Sequence, residues 1–278
     1  MNKIGISLSL SREPNEELFK SYADAGIDAM EICLAKTMKE DYESISALSK
    51  KYGIMLWSHH LLWCNASPLE SEVRKQTIKT YSETIKKVSD IGVGRFIIHS
   101  SGEGFENDVR QEKMLSAKET LNELAEVAFK CGSVICVENL PRTCLGNNSA
   151  EIKELISVND KLRVCFDTNH NLTESNSDFL KELKGKIATI HVSDYDFINE
   201  RHWLPGEGKI DWPKLISEIK DSGYDGVWMY ELSHLCPKTI IRDRDLTCDD
   251  FARNAKELFG GKPLTTFCTH KENLGMRE

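Results

Sequence analysis

Six successive apolar runs of this chain close on a side chain able to bind a cation or move a proton. The closing residues are Ser58-His59-His60, His99, Val137-Glu138-Asn139, Phe166-Asp167 with His170 three residues on, His191, and Tyr230-Glu231. One imidazole or carboxylate in such a place is ordinarily solvated or hydrogen-bonded. Six at the same register ask for another reason, because buried parallel strands are built from Val, Ile and Leu. Gathering several carboxylates without a cation is costly, since like charges force some of them to stay protonated. A divalent ion removes that cost. Glu138, Asp167, His191 and Glu231 combine hard oxygen with borderline nitrogen, which suits Mn, Zn, Co, Fe or Mg. A ligand set without cysteine argues against a purely structural zinc. The absence of a His-Glu-x-x-His helix argues against a metalloprotease.

Such residues converge only if the elements carrying them do. Strand-like runs begin near residues 4, 28, 54, 95, 133, 162, 187 and 226, and amphipathic helical stretches separate them. Ala117, Leu121, Leu124, Ala125 and Ala128 form one such helical stripe. Strands alternating with helices predict a parallel sheet covered on both faces, at roughly 30 residues per unit. Eight units predict a (β/α)8 TIM barrel in a single domain, with an open doubly wound sheet as the alternative. The expected domain spans 1–260, and a polar tail over 261–278 is left unplaced but available to pack on another copy in a homo-oligomer. In a barrel all eight strand ends face one rim, so the six polar ends would meet.

Composition narrows the function. The chain has 278 residues, 40% of them hydrophobic, and no apolar stretch near the roughly 20 residues needed to span a bilayer. Nine cysteines without a Cys-x-x-Cys pair, and an N-terminus that enters a strand directly, favour a reducing cytoplasm. The net charge of −8 disfavours nucleic acid as a partner. On the expected rim loops, cations such as Lys36 and Lys39 are outnumbered by Glu40, Asp41, Glu43, Glu103, Glu106 and Asp108.

Five segments together resemble the xylose-isomerase-like TIM barrels, which include sugar isomerases, sugar epimerases and endonuclease-IV-type enzymes. They are Val137-Glu138-Asn139, Phe166-Asp167-Thr168-Asn169-His170, Ile190-His191-Val192-Ser193-Asp194, Pro205 through Trp212, and Tyr230-Glu231-Leu232. The resemblance implies one metal on Glu138, Asp167, His191 and Glu231. It implies that His170 contacts substrate or a second metal. His60, His99, Glu200 and His202 fall where the endonuclease-like branch carries further ligands, although that branch has Asp-x-His where this chain has Glu200-Arg201-His202. Ketose epimerases carry an arginine six residues after the strand-seven histidine. That position is Phe197, so the contact is missing or comes from Arg201 or Arg142. Asn139 adjoins the acid of strand five as a substrate-binding candidate. Among Trp57, Trp63 and Trp203, one is placed to offer a sugar an apolar face, with packing as the alternative role.

The expected activity is isomerisation or epimerisation of a small carbohydrate, free or phosphorylated. Metal and two glutamates, Glu138 and Glu231, would act through an enediolate. The alternatives are hydrolysis of abasic DNA by a zinc cluster and dehydration of a polyol or keto-sugar. The Pro205-Gly206-Glu207-Gly208 turn sits where a lid would need a defined bend.

Overall fold

A computed structural model describes residues 3–8, 12–34, 38–61, 66–105 and 107–271. Trp63, Lys36 and Glu106, singled out above, lie outside the described residues. In chain order the elements are β1 (Ile4–Ser7), α1 (Glu16–Ala25), β2 (Ala29–Ile32), α2 (Tyr42–Tyr52), β3 (Met55–Leu61), α3 (Ser71–Ser89), β4 (Arg95–Ile98), α4 (Arg110–Lys130) and β5 (Val134–Glu138). There follow α5 (Ser149–Ile156), β6 (Arg163–Asp167), α6 (Asn176–Glu182), β7 (Ile187–Val192), α7 (Trp212–Asp221), β8 (Trp228–Tyr230), β9 (Ile240–Arg242), α8 (Cys248–Phe259) and β10 (Cys268–His270). Strands β1 to β8 pair in parallel and in sequence order, and β8 closes on β1. The architecture is a (β/α)8 TIM barrel.

Local chemistry sets the boundaries. The Asn15 side chain accepts from the Leu18 amide and starts α1, which ends at Gly26 with φ of 77°. The stripe expected on α4 is buried, from Ala117 to Ala128. No helix among the described residues is long and apolar enough to cross a membrane.

Side-chain alternation along each strand decides what reaches the centre. Outward residues such as Phe96, Val137, Phe166 and Ile190 join the large cluster beneath the helices. The inward set is separate and smaller: Ile97, Cys136 and Cys165 form one cluster, and Ala29, Val227 and Met229 another. Two residues further along the same strands, this inner face turns polar. His59 and His60 show the rule at one step: His59 points outward to Tyr42 Oη at 3.1 Å, and His60 points inward to Glu138 at 3.1 Å.

Trp57, one of the three tryptophans considered for a sugar's apolar face, takes the packing role instead. Its Nε1 donates to Thr189 Oγ1 at 3.1 Å, and the Arg95 guanidinium stacks 3.5 Å from its ring. Arg95 is the first residue of β4 and also donates to the Ala188 carbonyl, so this group closes the opposite end of the barrel. The polar stretch after α8 contains β10, which pairs antiparallel with β9. Three-residue strands carry too few alternating positions to be read as strands from sequence.

The turn after β7 is fastened from below. Asp194 accepts from the amides of Tyr195 (2.8 Å), Gly206 (2.8 Å) and Ile210 (3.2 Å), and from Trp212 Nε1 (2.8 Å). Glu207 makes a buried two-pronged ion pair with Arg242 of β9, at 2.9 and 2.7 Å. The Pro-Gly-Glu-Gly segment is thus an anchor that ties β7 to the β9–β10 pair. A Cβ on Gly208 would stand 2.2 Å from Asp194 Oδ1 and 2.5 Å from the Tyr195 carbonyl. Gly208→Ala is therefore expected to cost about 1–3 kcal/mol, the range for forced overpacking. Urea denaturation reads this directly, and an unchanged midpoint would show that the Asp194 anchor yields freely.

Candidate metal centre and cavity

The inward polar layer gathers around His191. Its Nδ1 lies 2.9 Å from Glu138 Oε1, 2.9 Å from Glu231 Oε2 and 3.9 Å from Asp167 Oδ2. A ring nitrogen carries at most one hydrogen, so Nδ1 cannot donate to all of these oxygens. Asp167 Oδ2 is buried without a hydrogen-bond partner, while its Oδ1 accepts from the Asn169 amide at 2.6 Å. Ligand atoms from Glu138, Asp167, His191 and Glu231 all lie within 4.8 Å of one another. Three carboxylates facing one imidazole, with one oxygen left unpaired, fit a divalent cation held by three oxygens and one nitrogen.

Electrostatics say the same. Burial pushes Asp167 up to about 7; His170 opposes this, and the charges of Glu231 and Glu138 add to it. Burial also works against charge on Glu138, but His191, with hydrogen bonds from His60 and His99, holds it well below the usual carboxylate range. His191 is pulled down by burial and held well above its ordinary value by Cys165, Glu231, Glu31 and Glu138. Acids gathered this closely require positive charge among them. A divalent ion held by the four residues would supply it.

The other ring nitrogen explains how His191 is aimed. Nε2 faces Glu31 Oε2 at 3.0 Å, and Glu31 is fixed by Ser7 Oγ at 2.9 Å and Ser58 Oγ at 2.7 Å. A carboxylate accepting from Nε2–H leaves the Nδ1 lone pair for a metal, the usual arrangement behind a ligating histidine. Sequence reasoning missed Glu31. Its signal was present, an acid inside the otherwise apolar Ala29-Met30-Glu31-Ile32, but it came before the first of the six polar strand ends.

Two further groups flank the quartet. His60 Nε2 and His99 Nε2 both approach Glu138 Oε2, at 3.1 and 3.0 Å. On the other side, His170 Nδ1 faces the Asn139 carbonyl at 2.9 Å and His202 Nδ1 the Glu231 carbonyl at 3.1 Å. Both Nδ1 atoms must therefore donate, which leaves Nε2 of each ring for Glu200; His170 Nε2 is 3.3 Å from it. Burial opposes charge on His170, yet Asp167 and Glu200 raise it to about 10. Burial likewise opposes charge on Glu200, and His170, His202 and Arg142 bring it down to about 2. Each flanking triad could also hold a cation.

The centre opens into a cavity of about 510 Å³. A family model described as the xylose isomerase-like TIM barrel matches residues 19–247. The chain belongs to that family. It is 22% identical over 243 residues to the fructoselysine 3-epimerase of Shigella flexneri, covering 80% of this chain and 86% of that one. Among solved structures, a D-tagatose 3-epimerase-like protein superposes with a TM-score of 0.79 at 23% identity, covering 93% of this chain and 97% of that one. The IOLI protein, solved with a binding zinc atom, superposes at 0.73 with 18% identity and the same coverage.

Within this xylose isomerase-like barrel, the sequence-predicted residues separate by position. His60, His99, Glu138, His170, His202 and Glu231 line the cavity, as do Arg142, Glu200 and Arg201. Asp167 and His191 do not line it: each is 0% exposed, with ligand atoms within 4.8 Å of those of Glu138 and Glu231, which do. Asn139 does not line the cavity. It receives the Asp167 amide at 2.7 Å and donates to the Asp167 carbonyl at 2.9 Å, fixing that acid's backbone. Trp203 is fully buried, bonds Thr239 through Nε1 and packs on His270, so the face expected for a sugar is turned into the protein. Arg201 is buried against Asp196 at 3.0 Å. Arg142, at φ of 53°, is clasped between Glu103 and Glu200.

Replacing Glu31 by Gln keeps its volume and removes the charge behind His191. A loss of about 10–100-fold in affinity for Mn or Zn is expected, with the fold retained. Metal titration monitored by calorimetry measures it, and unaltered affinity would remove Glu31 from the centre.

Proposed function

We propose that the chain is a sugar isomerase or epimerase that depends on a divalent metal held by Glu138, Asp167, His191 and Glu231. The observation that carries this reading is the pair of carboxylates, Glu138 and Glu231, which line the cavity and each lie 2.9 Å from the same nitrogen of the buried His191 imidazole. When bound, the metal would polarise a substrate carbonyl and stabilise the charge developing on its oxygen. The chain's own groups supply the proton transfers. Glu138 ends β5 and Glu231 follows β8, so the two reach the substrate from separate sectors of the ring. One carboxylate takes the proton from the carbon beside the carbonyl, giving an enediol(ate). The other, in its acid form, returns a proton, and exchange with solvent resets both. His60 and His99, donating to Glu138 Oε2, orient it for that step. The relative named fructoselysine 3-epimerase supports a keto-sugar substrate, and the solved structure described as a D-tagatose 3-epimerase-like protein agrees with it.

A second reading draws on the flanking triads. Three cations on His60–His99–Glu138, the central quartet and His170–Glu200–His202 would suit phosphodiester hydrolysis. Against it, both arginines lining the cavity are already engaged by carboxylates. Metal analysis of the purified protein separates the two: one ion per chain supports the isomerase or epimerase, three support the hydrolase.

Glu138→Gln and Glu231→Gln are each expected to lower turnover about 10²–10⁴-fold, the usual worth of a general acid or base. The readout is exchange of a sugar's α-proton with deuterated solvent, using metal-loaded protein. Absence of exchange across a broad panel of free and phosphorylated keto-sugars would sink the proposal.

A further inference from the structure

The cavity also carries information about the far end of the substrate. A phosphate ester needs unpaired donors, and the usual barrel phosphate site uses the loops after β7 and β8 with a nearby helix N-terminus. Among the described residues, the cavity's two guanidinium groups are both committed, Arg142 to Glu103 and Glu200 and Arg201 to Asp196. A phosphate beside Arg142 would face two carboxylates at once. The helix following β8 is closed as well: Asp250 accepts from the Thr247 amide at 2.8 Å and from Thr247 Oγ1 at 2.9 Å, and it pairs with Arg244. Asp250 and Thr247 thus close a capping box at the start of α8, and the carboxylate there brings negative charge to that helix end.

What the cavity offers instead is carbon. Leu140, Pro141, Leu232, Leu235 and Pro237 line it together with the histidines, acids and arginines named above, so that an apolar stretch of wall stands beside the polar one. Leu235 is 50% exposed, which sets it at the mouth. A volume of about 510 Å³ lies within the roughly 300–1,000 Å³ of pockets that enclose ligands larger than a bare monosaccharide.

We infer that the substrate is an unphosphorylated keto-sugar bearing an apolar substituent, such as an aryl glycoside, with its sugar on the polar stretch and its substituent against Leu140, Pro141, Leu235 and Pro237. This rests on the isomerase or epimerase reading and narrows it. Recognition divides between the metal centre, which orients the carbonyl and its neighbouring hydroxyl, and the apolar wall, which supplies affinity through buried carbon.

The test compares solvent-deuterium exchange and binding, on metal-loaded protein, for D-fructose, D-fructose 6-phosphate, and the methyl and phenyl glycosides of 3-keto-glucose. The phenyl glycoside is expected to exceed the methyl one by about ten-fold or more in kcat/KM, in line with the worth of buried apolar groups in specificity. The phosphate ester should gain nothing over fructose. Leu235→Asp should erase most of the phenyl advantage, and its exposed position keeps that variant folded. Equal rates for phenyl and methyl, or a preference for the phosphate ester, would overturn this inference and leave the isomerase or epimerase reading standing. No exchange and no binding with any of the four would overturn both.

Discussion

Three carboxylates confined within one imidazole's reach are the constraint on which the rest of the barrel depends. Glu138 and Asp167 are buried and Glu231 is partly so, all three gather on His191, and their mutual repulsion must be met by positive charge. The surrounding residues serve that requirement. Glu31 orients the imidazole, Asn139 holds the backbone of Asp167, and His60 and His99 donate to the outer oxygen of Glu138. Hydrophobic packing builds the tube, while this charge balance sets what its mouth is for.

That division shaped how much could be read from sequence. Strand ends were legible because the side-chain period along a strand is fixed. An acid or imidazole closing an apolar run in a barrel is carried to the rim, and those of Glu138, Asp167, His191 and Glu231 do meet. His59 and His60 are indistinguishable by composition, and only the pleat separates an outward packing group from an inward one. Glu31 was readable in principle, since it breaks a buried run one strand before the pattern was taken to begin.

Loop residues were less legible, for a different reason. Arg142, Arg201 and Trp203 sit on segments without a period, where backbone hydrogen bonding decides direction. Trp203 is turned inward because its amide and carbonyl pair with Asp194, at 3.0 and 2.7 Å. Nothing in the string Glu200-Arg201-His202-Trp203 announces that pairing. The β9–β10 pair was hidden similarly, by strands too short to show alternation and by a partner some 25 residues away.

His202 and Arg142 share one more property, φ angles of 48° and 53°, in the left-handed region where a side chain is strained and glycine is not. At both positions the backbone would be more comfortable with no side chain at all. Each nevertheless places a polar side chain at the cavity, and the neighbours that grip those groups hold the strained turns in place. Thermal robustness and chemistry therefore pull in opposite directions here. A lineage screened for heat resistance alone would be free to drift toward glycine at these two turns, and would arrive at a sound barrel with a blunted mouth.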